Sequence, residues 1–428
     1  MSFAALWESL LPIGRDGSSG GYRRFSWTPE DAACRAWFTR AATERDLRVR
    51  TDRNGNLWAW WDPPGPPAPA GSPDPPGIAG IPGRAGPPAG AEAVVTGSHL
   101  DSVPDGGAFD GPLGVVSAFA AVDVLRDRGH APARPLGIAA FSEEEGARFG
   151  VACLGSRLLS GAIDPETARA LPDAAGITLA EAMAAAGHDP EGIGPDDHLL
   201  AAVGGYVELH VEQGRALADL DAAIGIGEQI WPHGRWRLDF TGRPDHAGTA
   251  TLADRRDPMP PFAAAVLAAR QAAATHGALA TVGRVIAEPG AVNAVSARVS
   301  AWLDARGPDE RVLQAVVDQV LTAAREAAAS HHVELEAGPE SVTPAVCFDP
   351  GLRERLASSL AARGIRAPVL PTGAGHDAGV LAARIPTAML FVRNPTGVSH
   401  SPAEHAEQAD CESGVLALAA VLEDLACR

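Results

Sequence analysis

Four short stretches of the chain place histidines and carboxylates where a β-strand would run out into a loop. GSHLDSVPDGGAFDG holds His99, Asp101 and Asp110, and AAFSEEEGARFG holds Glu143, Glu144 and Glu145. YVELHVEQG holds His210, Glu212 and Gln213, and GVSHSPAEH holds His400. Imidazole nitrogen and carboxylate oxygen are the donors that zinc, manganese and related ions take. Three adjacent glutamates repel one another unless a cation neutralises them or water solvates them at a helix start. Metal-assisted hydrolysis gives two neighbouring carboxylates separate tasks, one on an ion and one on a water. Asp101, two residues past His99, can accept the other ring N–H of that imidazole and fix its tautomer. Each stretch alone also has an ordinary reading: a polar Gly-rich turn, a solvated helix start, a structural histidine. Recurrence at four strand ends is what favours a metal site.

The elements that must position these residues follow from the pattern between them. Thr28 can cap a helix with Pro29 in its first turn, running to about Leu47. Leu57 to Trp61 reads as a strand, AVVTGSHL and PLGIAAF as two more, and Leu113 to Arg126 as a helix. This alternation predicts an α/β layered fold with a mixed, largely parallel sheet, in which ligands gather beyond strand ends. From about Arg235 the style changes: RWRLDFTGR, a helix from Pro260 to Thr275, ATVGRVIA, ARVSAWLDAR, a helix from Asp309 to Ser330 and VELEAG form a β-α-β-β-α-β series. We read residues 229–341 as a second α/β sandwich inserted into a domain made of 1–228 and 342–428. The Pro/Gly/Ala tract at 62–92 cannot build a core and reads as a mobile surface insertion between neighbouring strands of one sheet.

Composition excludes several functions. At 428 residues two domains are expected, and Asp and Glu outnumber Lys and Arg by 53 to 35, with no basic block to hold nucleic acid. No run of 18 apolar residues or secretory signal is present, and the five scattered cysteines suit a reducing cytoplasm.

In order along the chain, GSHLDSVPDGGAFDGPLG, FSEEEGARFG, ELHVEQG, GRPDHAGT, EPGAVNAV, LDAR, GAGHDA and GVSHSPAEH closely resemble the M20-type metallo-amidohydrolases of the allantoate amidohydrolase and N-carbamoyl-L-amino acid hydrolase group. The resemblance runs from about Trp7 to the C-terminus, interrupted by the Pro/Gly tract. It implies a metallopeptidase-like catalytic domain with an inserted lid and dimerisation domain. It also implies two divalent ions per subunit, zinc or manganese with cobalt or nickel as options, bridged by Asp110. His99 and His210 would complete one site, Glu145 and His400 the other, and Glu144 would be the base. Asn293 and Arg306 correspond to residues that hold a substrate carboxylate, Gln213 and His376 to residues lining the pocket. His246 corresponds to a histidine that crosses a homodimer interface to stabilise the oxyanion. Two places depart from the pattern: Asp245, where relatives commonly have Asn, and TATLADRRDP. The first of these sets an anion beside His246.

The expected activity is hydrolysis of a linear ureido or amide C–N bond in a small carboxylate, allantoate or an N-carbamoyl L-amino acid, releasing ammonia. An N-acyl amino acid deacylase or dipeptidase of the same superfamily is the rival enzyme. A catalytically silent binding protein on the same fold is the rival from another class. HVEQG and GAGHDA weigh against the first, and the complete ligand set against the second.

Overall fold

The computed structural model describes residues 2–64, 87 and 92–428. Most of the Pro/Gly tract, and with it the expectation of a mobile insertion, lies outside the described residues. The chain divides into two compact units, Met1–Glu228 with Cys347–Arg428, and Gln229–Val346.

In the first unit a nine-stranded sheet runs in the order Arg48–Thr51, Leu57–Trp61, Leu136–Phe141, Ala93–His99, Val203–Val211, Thr387–Val392, Ile224–Ile230, Val346–Cys347, with Val369–Thr372 paired to Ile224–Ile230 off this path. Leu136–Phe141, Ala93–His99, Val203–Val211 and Thr387–Val392 are mutually parallel, while Arg48–Thr51, Leu57–Trp61 and Ile224–Ile230 pair antiparallel. Three of the parallel strands are buried along their whole length, which explains their unbroken apolar runs: both faces are covered. The helices Pro112–Asp127 and Gln408–Ala426 pack together on one of these faces, joined in one core by Leu113, Phe119, Val122, Leu418 and Leu422. Leu57–Trp61 and Ala93–His99 do share a sheet, but Leu136–Phe141 lies between them, so they are not neighbours.

Because the four central strands are parallel, their carboxyl ends lie on one edge. His99 ends its strand, Glu144 and Glu145 follow Phe141, His210 is next to last in Val203–Val211, and His400 lies in the loop after Val392. The sheet itself therefore gathers the four sequence stretches.

The second unit is a four-stranded antiparallel sheet, ordered Glu334–Thr343, His233–Thr241, Arg298–Arg306, Leu279–Glu288. Helices Met259–His276 and Glu310–Ser330 pack on one face through Ala265, Ala269, Val316 and Val320 against Leu238, Phe240, Val299 and Leu303. VELEAG is only the start of its strand, which continues to Thr343 in pairing with His233–Thr241, so this unit runs to Val346. A two-stranded ribbon pairs Asp245–His246 with Ala294–Val295. No helix among the described residues is long and apolar enough to cross a membrane.

Candidate metal centre

Asp110 lies at the middle of the cluster. Its Oδ1 stands 3.2 Å from His210 Nε2 and 3.5 Å from His99 Nε2. Its Oδ2 stands 3.4 Å from His400 Nε2, which is 3.5 Å from Glu145 Oε2. The two oxygens of one carboxylate thus face two separate donor sets: His99, Asp110, His210 and Asp110, Glu145, His400. Two ligands about 2.1 Å from one ion at a tetrahedral angle stand about 3.4 Å apart, which matches these separations.

Tautomers fit as well. His99 Nδ1 lies 3.1 Å from the Asp101 carbonyl oxygen and His210 Nδ1 lies 2.8 Å from that of Val211. Carbonyls only accept, so each ring keeps its proton on Nδ1 and turns Nε2 to the centre. Gly111 N–H also points at His210 Nε2 from 3.2 Å, as it would at a lone pair. Gly111 must be glycine: its φ is +79°, and a Cβ there would stand 2.4 Å from the His99 ring.

Two polar atoms of the cluster, His99 Nε2 and Glu145 Oε1, are buried without a hydrogen-bond partner, the signature of a missing cation or water. Among the described residues, the ion-pair partners of Asp101, Asp110, Glu144 and Glu145 are histidines alone. Burial, with Asp110 and Glu144 beside it, holds the Glu145 carboxyl well above its ordinary range. Burial opposes ionisation of Asp110, yet the imidazoles of His210, His400 and His99 around it outweigh burial and hold that carboxyl well below its range. Asp110 in turn pushes His210 and His400 up to about 9, against burial of their rings. A dication in each donor set would stand where those protons stand. The residues fit two metal ions.

Glu144 is also buried, and burial pushes it up to about 7, while His99 opposes the shift. Its Oε2 lies 3.6 Å from His99 Nε2 and its Oε1 accepts from Cys153 Sγ at 3.0 Å. A carboxyl poised near neutrality can take a proton and then return it. The Asp101 carboxylate has a wider task than orienting His99, from whose Nδ1 its Oδ1 lies 3.4 Å. Its two oxygens accept the backbone N–H groups of Glu144 at 3.2 Å and Glu145 at 3.1 Å, which sets the two glutamates relative to each other.

Gln213 donates from Nε2 to Asp110 Oδ2 at 2.7 Å, so it engages the bridging carboxylate as well as bordering the site. His376 is buried with its ring edge-on to His210, centroids 4.5 Å apart, and its Nε2 has no hydrogen-bond partner. A third donor set, Glu208, His210 and His376, is already engaged: Glu208 accepts from Ser98 Oγ and Ala378 N. Glu404 and Ser399 escaped the sequence reading although both lie in the GVSHSPAEH stretch. Glu404 accepts from Phe109 N and Asp110 N, and Ser399 Oγ lies 3.1 Å from Asp110 Oδ2.

The remaining sequence-derived residues lie in the second unit, at two places. His246 and Asn293 are brought together by the two-stranded ribbon, in which His246 pairs with Ala294 and Ala247 N–H donates to the Asn293 carbonyl. Gly248 N–H donates to His246 Nδ1 at 3.0 Å, which leaves the ring proton on Nε2, facing outward as a donor. The Asp245 carboxylate accepts the backbone N–H of His246 and lies 3.7 Å from Arg243. Arg306 stands at the other end of the sheet, opposite His233, and pairs with Asp304 at 3.0 Å. From Arg298, beside the ribbon, to Arg306 the strand covers eight steps of about 3.3 Å, roughly 26 Å.

A parallel α/β sheet with a carboxylate bridge between two donor sets at its carboxyl edge defines a metal-dependent hydrolase. The sequence profile of Peptidase family M20/M25/M40 matches residues 95–424, and the chain belongs to that family. It is 34% identical to the N-carbamoyl-L-amino acid amidohydrolase of Geobacillus stearothermophilus, over 96% of this chain and 95% of that protein. It is 30% identical to the allantoate amidohydrolase of Escherichia coli K12, over 98% and 97%. The crystal structure of a hydantoinase/carbamoylase family amidase from Burkholderia ambifaria superposes with a TM-score of 0.80 at 32% identity, covering 99% of this chain and 97% of that one. The family and amidohydrolase group that the motifs resemble are therefore the ones the chain matches.

Proposed function

We propose that the chain is a two-metal amidohydrolase that cleaves a ureido C–N bond in a small carboxylate, allantoate or an N-carbamoyl L-amino acid, releasing ammonia. The carrying observation is the division of Asp110 between two donor sets, with Glu144 on the His99 side. Both full-length relatives named above bear amidohydrolase names for ureido compounds.

Ions held by His99, Asp110 and His210, and by Asp110, Glu145 and His400, would be zinc or manganese, with cobalt or nickel also suited to such donors. When bound they would polarise a carbonyl and ease ionisation of a water. Glu144 Oε2 takes the proton of the attacking water, and the same carboxyl delivers it to the departing nitrogen as the C–N bond breaks. Asp101 keeps Glu144 in register with Glu145 throughout, by holding both backbone N–H groups. Gln213 steadies Asp110 with its Nε2 and offers its buried, unpartnered Oε1 to a ureido N–H. His376 lines the pocket beside His210.

His246, protonated at Nε2, is the donor for the oxyanion, with Asn293 beside it. Arg306 takes the substrate carboxylate through its guanidinium fork once Asp304 yields. A small substrate cannot touch both ends of a sheet roughly 26 Å long, so we assign the two contacts to two copies of a homodimer. The Leu279–Glu288 edge strand supports this assembly: it is long, lies at the sheet edge, and exposes Leu279, Val285 and Ile286. The second unit is then lid and dimerisation domain at once. Five cysteines scattered along the chain, with no C-x-x-C pair, support a cytoplasmic location.

The test is ammonia release by manganese- or zinc-loaded protein from allantoate and N-carbamoyl amino acids, against N-acetyl amino acids and dipeptides. Release from the ureido compounds is expected. Turnover of only the acetyl or dipeptide substrates would replace this reading with a deacylase or dipeptidase.

A further inference from the structure

We propose that Glu404 is a positioning residue for the Asp110, Glu145, His400 half of the metal centre, an inference that rests on the two-metal reading above. Glu404 is 5% exposed and belongs to neither donor set. Its Oε1 accepts the backbone N–H of Phe109 and of Asp110, both at 2.9 Å, and its Oε2 accepts from Ser399 Oγ at 2.8 Å. Ser399 Oγ also stands 3.1 Å from Asp110 Oδ2, the oxygen that faces His400. One buried side chain thus ties the loop carrying Asp110 to the loop carrying His400, 294 positions apart in the chain at the Asp110 contact. The approach is close enough to require glycine at 107, where a Cβ would stand 2.4 Å from Glu404 Oε1.

The two halves of the centre depend on this tie to different degrees. His99 and His210 lie on strands and are oriented through Nδ1 by the carbonyls of Asp101 and Val211. His400 lies on a loop, half-exposed, at a φ of 54°. Glu404 and Ser399 join that loop to Asp110. Removing the tie should therefore weaken the His400 half and leave the His99–His210 half intact. Outer residues that orient ligands typically carry 10–100-fold of metal affinity.

Charge and geometry can be separated. In Glu404→Gln the amide oxygen still accepts both backbone N–H groups. Its NH2 donates to Ser399 Oγ, whose single proton then passes wholly to Asp110 Oδ2. Another anion beside Asp110 adds repulsion, so the proposal assigns Glu404 its worth by position and expects the amide to serve.

The experiment titrates Mn²⁺ into metal-free full-length protein and follows free Mn²⁺ by electron paramagnetic resonance, for wild type, Glu404→Ala, Glu404→Gln and Ser399→Ala. Wild type is expected to bind two equivalents. In Glu404→Ala one equivalent should hold within about threefold and the other weaken by about 10–100-fold. Ser399→Ala should show a smaller loss in the same equivalent, and Glu404→Gln should follow wild type. Two unchanged constants in both alanine variants overturn the proposal, as does equal weakening of both equivalents or a loss in Glu404→Gln as large as in Glu404→Ala. If Glu404→Ala does not fold, Ser399→Ala, which removes only a hydroxyl, carries the same comparison. Fewer than two equivalents in wild type would instead overturn the two-metal reading on which the proposal stands.

Discussion

Gln213 Nε2 donates to Asp110 Oδ2 at 2.7 Å while its Oε1 is buried without a hydrogen-bond partner. One amide thus faces the Asp110 carboxylate with its donor end and leaves its acceptor end without a hydrogen-bond partner, the end proposed to take a ligand. Gln213→Ala should lower metal retention about 10–100-fold and raise KM for a ureido substrate as well. Gln213→Glu keeps an acceptor but sets a second anion against Asp110, and should impair metal binding further. Competition with a chromophoric chelator, together with KM, checks both; an alanine variant with unaltered retention and KM would refute the double role.

Glu144→Gln replaces the proposed base with an amide of the same shape. The turnover number should fall by about 10²–10⁴-fold with metal content by elemental analysis unchanged. Since the base works as an anion and burial pushes Glu144 up to about 7 in the metal-free protein, activity should be lost as pH falls. Bound cations favour the anion, so the acid limb of kcat/KM belongs at about 7 or below. A limb well above 7 would point to another base.

Metal binding should itself depend on pH. His210 and His400 are pushed up to about 9 by Asp110 in the metal-free centre, and an ion must displace those protons to bind. Below about 9 the apparent affinity should therefore fall as pH falls, by up to about tenfold per pH unit for each histidine displaced. Isothermal titration at several pH values between neutrality and 9, in buffers of different ionisation heat, measures the protons released. A flat profile with no proton release would contradict the assigned ligands.

If His246 serves the partner's site, two inactive variants should repair each other. Glu144→Gln and His246→Ala protein, mixed after dissociation and reassociation, form dimers in which one site carries both defects and the other neither. Random pairing leaves about a quarter of sites intact in a two-fold dimer, so about that share of wild-type activity should return. No recovery from a mixture shown to exchange subunits would place His246 in its own chain's site.

The proposed dimer should be sensitive at the exposed edge. Ile286→Lys on the Leu279–Glu288 strand, combined with Leu267→Lys on the 71% exposed position of the adjoining helix, should shift the mass by light scattering to that of one chain. Circular dichroism should stay unchanged, because neither side chain belongs to the core of the second unit. A double variant that remains dimeric would move the interface elsewhere.

Much of the site was open to reading from the chain alone, because metal ligation and general base chemistry use few residue types and need them at strand ends. His99, Asp110, the run Glu143, Glu144 and Glu145, His210 and His400 stood out on those grounds; their order along the chain pointed to the family, and the resemblance in turn gave Glu144 and Glu145 their separate tasks. The strands and helices were legible too, since apolar runs and caps such as Thr28 act within a few residues. Distances across the chain were not. That Asp110 turns one oxygen to His99 and His210 and the other to His400 follows from loops that meet only after the parallel strands align. Leu136–Phe141 enters between Leu57–Trp61 and Ala93–His99 because strand order is set by packing of covered faces, and local pattern says nothing of it. Asn293 and Arg306 look like partners at a short spacing, yet Asn293 lies beside the separate two-stranded ribbon while an extended strand carries Arg306 to the far end of the four-stranded sheet. Glu404 was invisible for the same reason: a lone glutamate in a loop becomes a tie only when folding brings Phe109, Asp110 and Ser399 around it. Residue chemistry and local spacing were the sequence's part, and which groups face which across the centre belonged to the tertiary structure, because hydrogen bonds and ion coordination act over ångströms in space whatever the separation along the chain.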